Sequence, residues 1–352
     1  MPLPTGTYDI TQSYEWNYEH GPVFEGVIPE RAVNPTYDFL GFKLNAPLGV
    51  PAGPLLSSKY IALYSQFGFD VLSYKTVRSV QRISHPAPNC LYIGDEFIDP
   101  RKQGERAFVV EEPRGMHELS ITNSFGMPSM APEIWQPDVE KANDSIGEGQ
   151  VLIVSIVGTK VEEREYIDDW AYVASMAKEA GGQIIELDIS CPNVTGGAGQ
   201  IFQDSELTRE IVERVRGAIG NTPLLLKIGY FEDENHLEEF VKVNGPIVEG
   251  IVAINTLRMK IVDDSGVALL PGEGREYAGV CGSAIRSAGL ETVERLINNK
   301  PKFCPDLAVI GVGGIVEPAH FNEYFSAGAD IAMSATGAMW NPYLANEFLE
   351  GL

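Results

Sequence analysis

The chain has 352 residues, 44% hydrophobic and 21% charged, enough for a large core and within the range of one α/β barrel. Its 49 acids against 26 bases leave a net charge of −23, which argues against non-specific binding to nucleic acid or anionic membranes. Residues 1–45 are aromatic and irregular ("YDITQSYEWNYEHGPVF") and read as an ordered extension packed on a larger body, too short and interrupted for a domain. From residue 46 a rhythm sets in. Short apolar runs stand at 47–53, 70–76, 151–157, 184–190, 223–229, 250–256, 307–314 and 330–336. Helix-length patterns separate most of them. Residues 163–182 carry helical spacing and close on Gly181-Gly182. Residues 204–220 open with Asp204 or Ser205 as N-cap and close on Gly220, and 317–330 repeats the pattern, ending at Gly328. Eight buried strands alternating with helices predict a (β/α)8 TIM barrel over 46–352. A doubly wound sheet is the rival, but no G-x-G-x-x-G follows the first strand. The exception to the rhythm is residues 77–150, a long excursion leaving the carboxyl end of the second strand, the face where barrel active sites form.

Polar residues at strand ends carry the chemistry. Lys75 ends the second strand, Asp188 and Cys191 the fourth, Lys227 the fifth, and Asn255 and Thr256 the sixth. Taken singly, a lysine there is usually solvated and a cysteine is usually a small buried hydrophobe. In a barrel, however, these ends converge on one mouth, and two lysines inside apolar strands are costly unless they meet an anion. Gly313-Gly314 after the seventh run and the small residues of "SATGAM" after the eighth fall where barrels commonly hold phosphate. A phosphate-bearing cofactor beside a lysine fits flavin mononucleotide (FMN), whose reduced ring a lysine can stabilise. The cysteines Cys90, Cys191, Cys281 and Cys304 form no C-x-x-C, and the five histidines show no ligand spacing. No metal is therefore expected. Without a membrane-length run or a secretory pattern at the start, a reduced cytoplasmic protein is the expectation.

The motifs "SYKT" (73–76), "NSFGMPS" (123–129), "SCPNVTG" (190–196), "LLLKI" (224–228), "INT" (254–256) and "GVGGI" (311–315) occur in one order. By them the chain resembles the dihydroorotate dehydrogenases, most closely the soluble class 1A branch, over about residues 46–345. The resemblance implies FMN-dependent oxidation of (S)-dihydroorotate to orotate in pyrimidine biosynthesis. Cys191 is implied as the base, on a mobile loop 191–203, with Lys75 touching both flavin and substrate. Free cysteine titrates near about 8.5, so the site would have to tune it. Asn123, Asn193 and Asn255 would hydrogen-bond the flat substrate, beside Gly126, Met127 and Thr256. The implied flavin contacts are Ala52, Gly53, Lys75, Thr76, Asp188, Lys227, Thr256, Gly282, Gly313, Gly314, Ala335 and Thr336. The excursion would form a substrate-side wall or a dimer contact. A homodimer is implied, with fumarate as electron acceptor. Asp188 departs from the family pattern, which has Asn there. An ionised Asp only accepts hydrogen bonds and repels a carboxylate ligand. The alternative is therefore an FMN-dependent oxidoreductase acting on another dihydropyrimidine or an unsaturated cyclic amide. A barrel keeping flavin only as a ligand would not need Cys191 and both lysines.

Overall fold

The structure is a computed structural model and describes residues 3–190 and 200–351. The extension opens with helix α1 (Tyr14–His20), capped by Ser13, whose Oγ accepts from the Trp16 N–H. A hairpin follows, β1 (Tyr37–Phe39) against β2 (Phe42–Leu44). The barrel starts with β3 (Leu48–Val50), α2 (Ser58–Tyr64) and β4 (Val71–Val77). Two short strands then stand outside it, β5 (Arg106–Phe108) and β6 (Ser120–Asn123), before α3 (Pro132–Ser145) returns the chain to the barrel. The winding continues through β7 (Val151–Ile156), α4 (Tyr166–Glu179), β8 (Ile184–Asp188), α5 (Ser205–Ile219), β9 (Leu224–Ile228), α6 (Glu234–Asn244) and β10 (Gly250–Ala253). A second departure carries β11 (Leu257–Val262) and β12 (Tyr277–Gly282). The chain closes with α7 (Arg286–Phe303), β13 (Ala308–Val312), α8 (Ala319–Ser326), β14 (Ile331–Met333), α9 (Thr336–Trp340) and α10 (Leu344–Glu350).

Among the described residues, β3, β4, β7, β8, β9, β10, β13 and β14 close a parallel barrel in that order, β14 pairing back to β3. Each falls inside one of the eight apolar runs, except that β4 runs one residue past its own, to Val77. The runs are near-continuously apolar because such strands are buried on both faces: β7, β8, β9 and β13 are buried at every position. Helix α5 shows how the crossovers are bounded. Asp204, not Ser205, is its cap, accepting from the Leu207 N–H at 3.0 Å, and Gly220 (φ +61°) ends it. Ile211, Val212, Val215 and Ile219 give it one buried stripe.

The lumen is layered. Its lower part is apolar, with Val71, Ile153, Ile184, Leu225, Val252, Ile310 and Met333 in one cluster. Phe39 and Leu44 of the β1–β2 hairpin belong to the same cluster and plug the amino-terminal end. Side chains two apart on a strand share a face, so Glu186 and Asp188 follow Ile184 along the lumen. Glu186 pairs in register with Ser155, and Asp188 with Lys227. A polar layer thus sits on the apolar floor, immediately beneath the mouth.

Two boundaries differ from the sequence reading. The excursion read as 77–150 includes α3, the helix following the second barrel strand, so its inserted part ends near residue 131. The second departure, between β10 and β13, was not anticipated. The two insertions join as a four-stranded sheet in the order β5-β11-β12-β6. Arg275, buried in the second insertion, donates to Pro86 O (2.8 Å), Ser124 O (3.0 Å) and Ser124 Oγ (3.0 Å) of the first. Its own loop receives a further bond at Pro271 O (2.7 Å).

Candidate active site

Two contiguous clefts open at the carboxyl ends of the barrel strands, enclosing about 860 Å³ and about 440 Å³ of empty space. Both are lined by Ala52, Gly53, Lys75, Asn123, Lys227, Asn255 and Thr256. The smaller adds Thr76, Met127 and Asp188, and the larger adds Gly282, Gly313, Gly314, Ala335 and Thr336. Gly126 stands apart from both. At φ +77° it turns the chain, and a side chain there would run into the His85 ring. Cys191 and Asn193 lie outside the described residues. Their neighbour Ser190 is buried directly beyond β8.

The two lysines are held differently. Lys75 Nζ lies 5.4 Å from the Tyr14 ring centroid and 5.5 Å from that of Phe125, and donates to Gly53 O at 3.5 Å. Lys227 is only 4% exposed and its Nζ donates to Ala52 O at 3.0 Å. The anion demanded by a buried lysine is supplied in part by the chain itself. Glu186, fully buried, feels the Lys227 ammonium, which offsets some of the rise that burial imposes on its pKa.

Asp188 is held through one of its two carboxyl oxygens. Its Oδ1 receives the Ser190 N–H, the Ser190 hydroxyl and the Asn255 amide, each at 3.3 Å. Asn255 is pinned at its other end, where Oδ1 accepts from the Thr256 N–H at 2.8 Å, and its amide also reaches Ser190 Oγ at 3.2 Å. The Thr256 bond fixes which end of the carboxamide faces Asp188, and an acceptor-only carboxylate suits the amide nitrogen presented to it.

The seventh and eighth strand ends form a cradle. Ser334 Oγ donates to Ile315 O at 2.7 Å and accepts from the Ala338 N–H at 3.0 Å, clasping the two loops together. Gly314 (φ +68°) lies so close to the first residue of α7 that a Cβ would overlap Arg286. At Gly53 (φ +144°) an added Cβ would meet no protein atom within 4 Å, so the space above that backbone is open cleft. A glycine-lined cradle, an open backbone wall and a buried ammonium suit a flat ring with an anionic tail, and FMN fits this set.

The larger cleft has lining that sequence reasoning missed. Tyr8 and Tyr14 come from the extension, docked by Thr7, whose Oγ1 lies 2.7 Å from the Tyr64 hydroxyl and whose N–H donates to Met339 O at 2.8 Å. Cys90 and Cys281 also line it. Burial pushes the Cys281 thiol up to about 11 and raises that of Cys90 as well, so both remain protonated at neutral pH. Among the described residues, no group of three or more potential ligands could hold a metal ion, and no helix is long and apolar enough to cross a membrane.

Residues 104–352 match the family model described as dihydroorotate dehydrogenase. A dihydroorotate dehydrogenase of Dictyostelium discoideum is 40% identical, the alignment covering 98% of this chain and 96% of that protein. The catalytic subunit of a dihydroorotate dehydrogenase B (NAD(+)) of Methanocaldococcus jannaschii is 29% identical, over 76% of this chain and 81% of its own. The crystal structure of DHODH from Eimeria tenella in complex with ferulenol shares the fold at a TM-score of 0.69, with 17% identity, covering 89% of this chain and 82% of that one. The family match spans more than half the chain and the Dictyostelium relative nearly all of it, so the chain belongs to the dihydroorotate dehydrogenase family.

Proposed function

We propose that the chain oxidises (S)-dihydroorotate to orotate, the step of pyrimidine biosynthesis its family performs, with FMN held in the larger cleft. The observation that carries this reading is the convergence of Lys75, Asn123, Asp188, Lys227 and Asn255 on one mouth beside the glycine cradle. Bound FMN supplies the hydride acceptor. Cys191 removes the proton from the substrate carbon next to the carbonyl as hydride leaves the adjacent carbon. Lys75, held beside the Tyr14 and Phe125 rings, would serve flavin and substrate together, and the Lys227 ammonium, bonded to Ala52 O, would stabilise the charge of the reduced flavin. Gly53, Thr76, Thr256, Gly282, Gly313, Gly314, Ala335 and Thr336 frame the cofactor. Asn123, Asn193 and Asn255 address the substrate ring, Asn255 with the oxygen lone pair that Thr256 leaves free. The first insertion forms the substrate-side wall.

The class 1A reading, with fumarate as acceptor, a cytoplasmic location and a homodimer, belongs to the same proposal. Free thiols at Cys90, Cys281 and Cys304 suit a reducing compartment. Exposed Phe108, Val110, Val267 and Leu269 gather where β5 and β11 pair, an apolar patch that self-association would cover. Light scattering at micromolar concentration is expected to give twice the chain mass, and the chain mass alone removes the dimer from the reading.

The decisive experiment mixes the purified yellow protein anaerobically with (S)-dihydroorotate and follows flavin bleaching by stopped flow. Rapid bleaching is expected. The protein's hold on Asp188 Oδ1 favours dihydroorotate over an altered substrate, since that oxygen is already engaged. One like charge near the ligand carboxylate still costs on the order of 1 kcal/mol at an intermediate effective dielectric. Asp188→Asn is accordingly expected to tighten orotate binding several-fold without changing which substrate is used. Should the wild type ignore dihydroorotate while the Asn variant oxidises it, Asp188 is a selector for another dihydropyrimidine.

A further inference from the structure

Glu186 has no part in the reaction just described, yet it lies directly beneath it. Its side chain is fully buried, and neither carboxyl oxygen has a hydrogen-bond partner among the described residues. Ser155, its register neighbour on β7, pairs its hydroxyl with Thr76 Oγ1 at 3.2 Å and also acts on the carboxyl. Buried polar groups are nearly always partnered, so an orphaned carboxyl in the layer under the cleft calls for an explanation. The charged groups facing it are Lys227, from β9, and Asp188, two residues along its own strand; β7 offers only the Ser155 hydroxyl. Burial and Asp188 favour the neutral acid, while Lys227 and the Ser155 hydroxyl favour the anion. The Lys227 ammonium is therefore shared. Its Nζ donates to Ala52 O on the cleft wall, while its charge also acts on the carboxyl below.

We propose that Glu186 is a positioning residue acting through Lys227, a charge-balancing carboxyl that is ionised while the cleft above carries no added negative charge and protonated when such charge arrives. The step balances simply. A hydronium ion delivers a proton by way of the cleft: its O–H bond breaks, an O–H bond forms on Glu186 and a water molecule is left in the solvent. The negative charge is that delivered to the cleft when the cofactor accepts hydride. Lys227 is then released to serve the cleft alone. The proposal rests on the FMN reading above.

The test is a redox titration of the FMN-loaded wild type and Glu186→Gln, from mildly acid to mildly alkaline pH. Removing a negative charge beneath the flavin eases its reduction, so the variant potential is expected above wild type at the alkaline end. The expected rise is about 30 mV or more, a tenfold change in the reduced-to-oxidised ratio for a two-electron couple. At the acid end, where Glu186 is neutral in both redox states, the two should coincide, and only the wild type should show the added pH slope. A yellow variant with wild-type potential at every pH overturns the proposal. Where the variant fails to fold, the wild type alone decides. Its reduced-minus-oxidised infrared spectrum, with 13C-labelled glutamate, should gain a protonated carboxyl band, and lack of that band overturns the proposal. A wild type that takes up no FMN overturns the cofactor reading and this proposal together.

Discussion

Cys191→Ser is expected to keep FMN bound and to slow its reduction by dihydroorotate by about 10²-fold or more at neutral pH. Cys191 itself lies outside the described residues. It follows Ser190, which is buried and bonded to Asp188, the last residue of β8 and part of the smaller cleft wall. The other cysteines lining the clefts cannot substitute for it, because burial raises both and pushes Cys281 up to about 11. A serine hydroxyl is a far weaker base than a thiolate and needs a helper group to act at all. In the wild type the reduction rate should climb with pH as the thiol ionises, and in the variant that climb should move to much higher pH. Stopped-flow reduction at matched pH reads both. Equal rates across neutral pH would make Cys191 a structural thiol.

Lys227→Met is expected to destabilise the FMN-free protein by about 3 kcal/mol at neutral pH, a large share of a domain's stability. The loss comes from Glu186, left fully buried without its counter-charge. An isolated buried carboxylate takes up a proton rather than stay charged, which limits the cost to about 1.4 kcal/mol for each pH unit by which the substitution raises its folded value. The sign follows from the direction of the shift. Burial already raises Glu186 above its ordinary 4.5 in the wild type, and loss of Lys227 raises it further, so over the interval between the two folded values the variant holds a proton that the wild type has released. The extra penalty is absent below the wild type's folded value, grows as pH rises through it and levels off above the variant's. Urea melts at about pH 5 and about pH 8 should therefore show a larger deficit at the alkaline value. Adding Glu186→Gln should return most of the lost stability, since the two side chains act as one unit. A deficit independent of pH and untouched by the second substitution would mean that Lys227 contributes packing and not charge.

Much of this site could be read from the sequence because burial makes polar residues conspicuous. A lysine inside "LLLKI" or "VLSYKT" has no cheap place in a doubly buried strand, and that cost is what singled out Lys75 and Lys227. The barrel itself was legible for the same reason, since its parallel strands are near-continuously apolar. What escaped lacked such a signal. Tyr8 and Tyr14 reach the cleft only because Thr7 anchors the extension to Tyr64 and Met339, contacts spanning 57 and 332 residues of sequence. The second insertion passed as an ordinary connection, although "LRMKIV" alternates buried and part-exposed positions as a half-buried strand does. Glu186 was a missed opportunity. It stands two residues before Asp188, so period-two alternation already placed both acids on one face.

The sheet built jointly by the two insertions constrains how relatives of this chain can diverge. Asn123, a cleft residue at the end of β6, sits opposite Gly279 of β12, and the next residue along, Ser124, takes two of Arg275's hydrogen bonds. A length change in the segment after the sixth barrel strand therefore shifts a wall contributed by the segment after the second. Transplanting either insertion alone from another member would leave Asn123 out of register with its partner strand. The pair is one structural module in this chain, and an exchange that preserves it has to carry both segments at once.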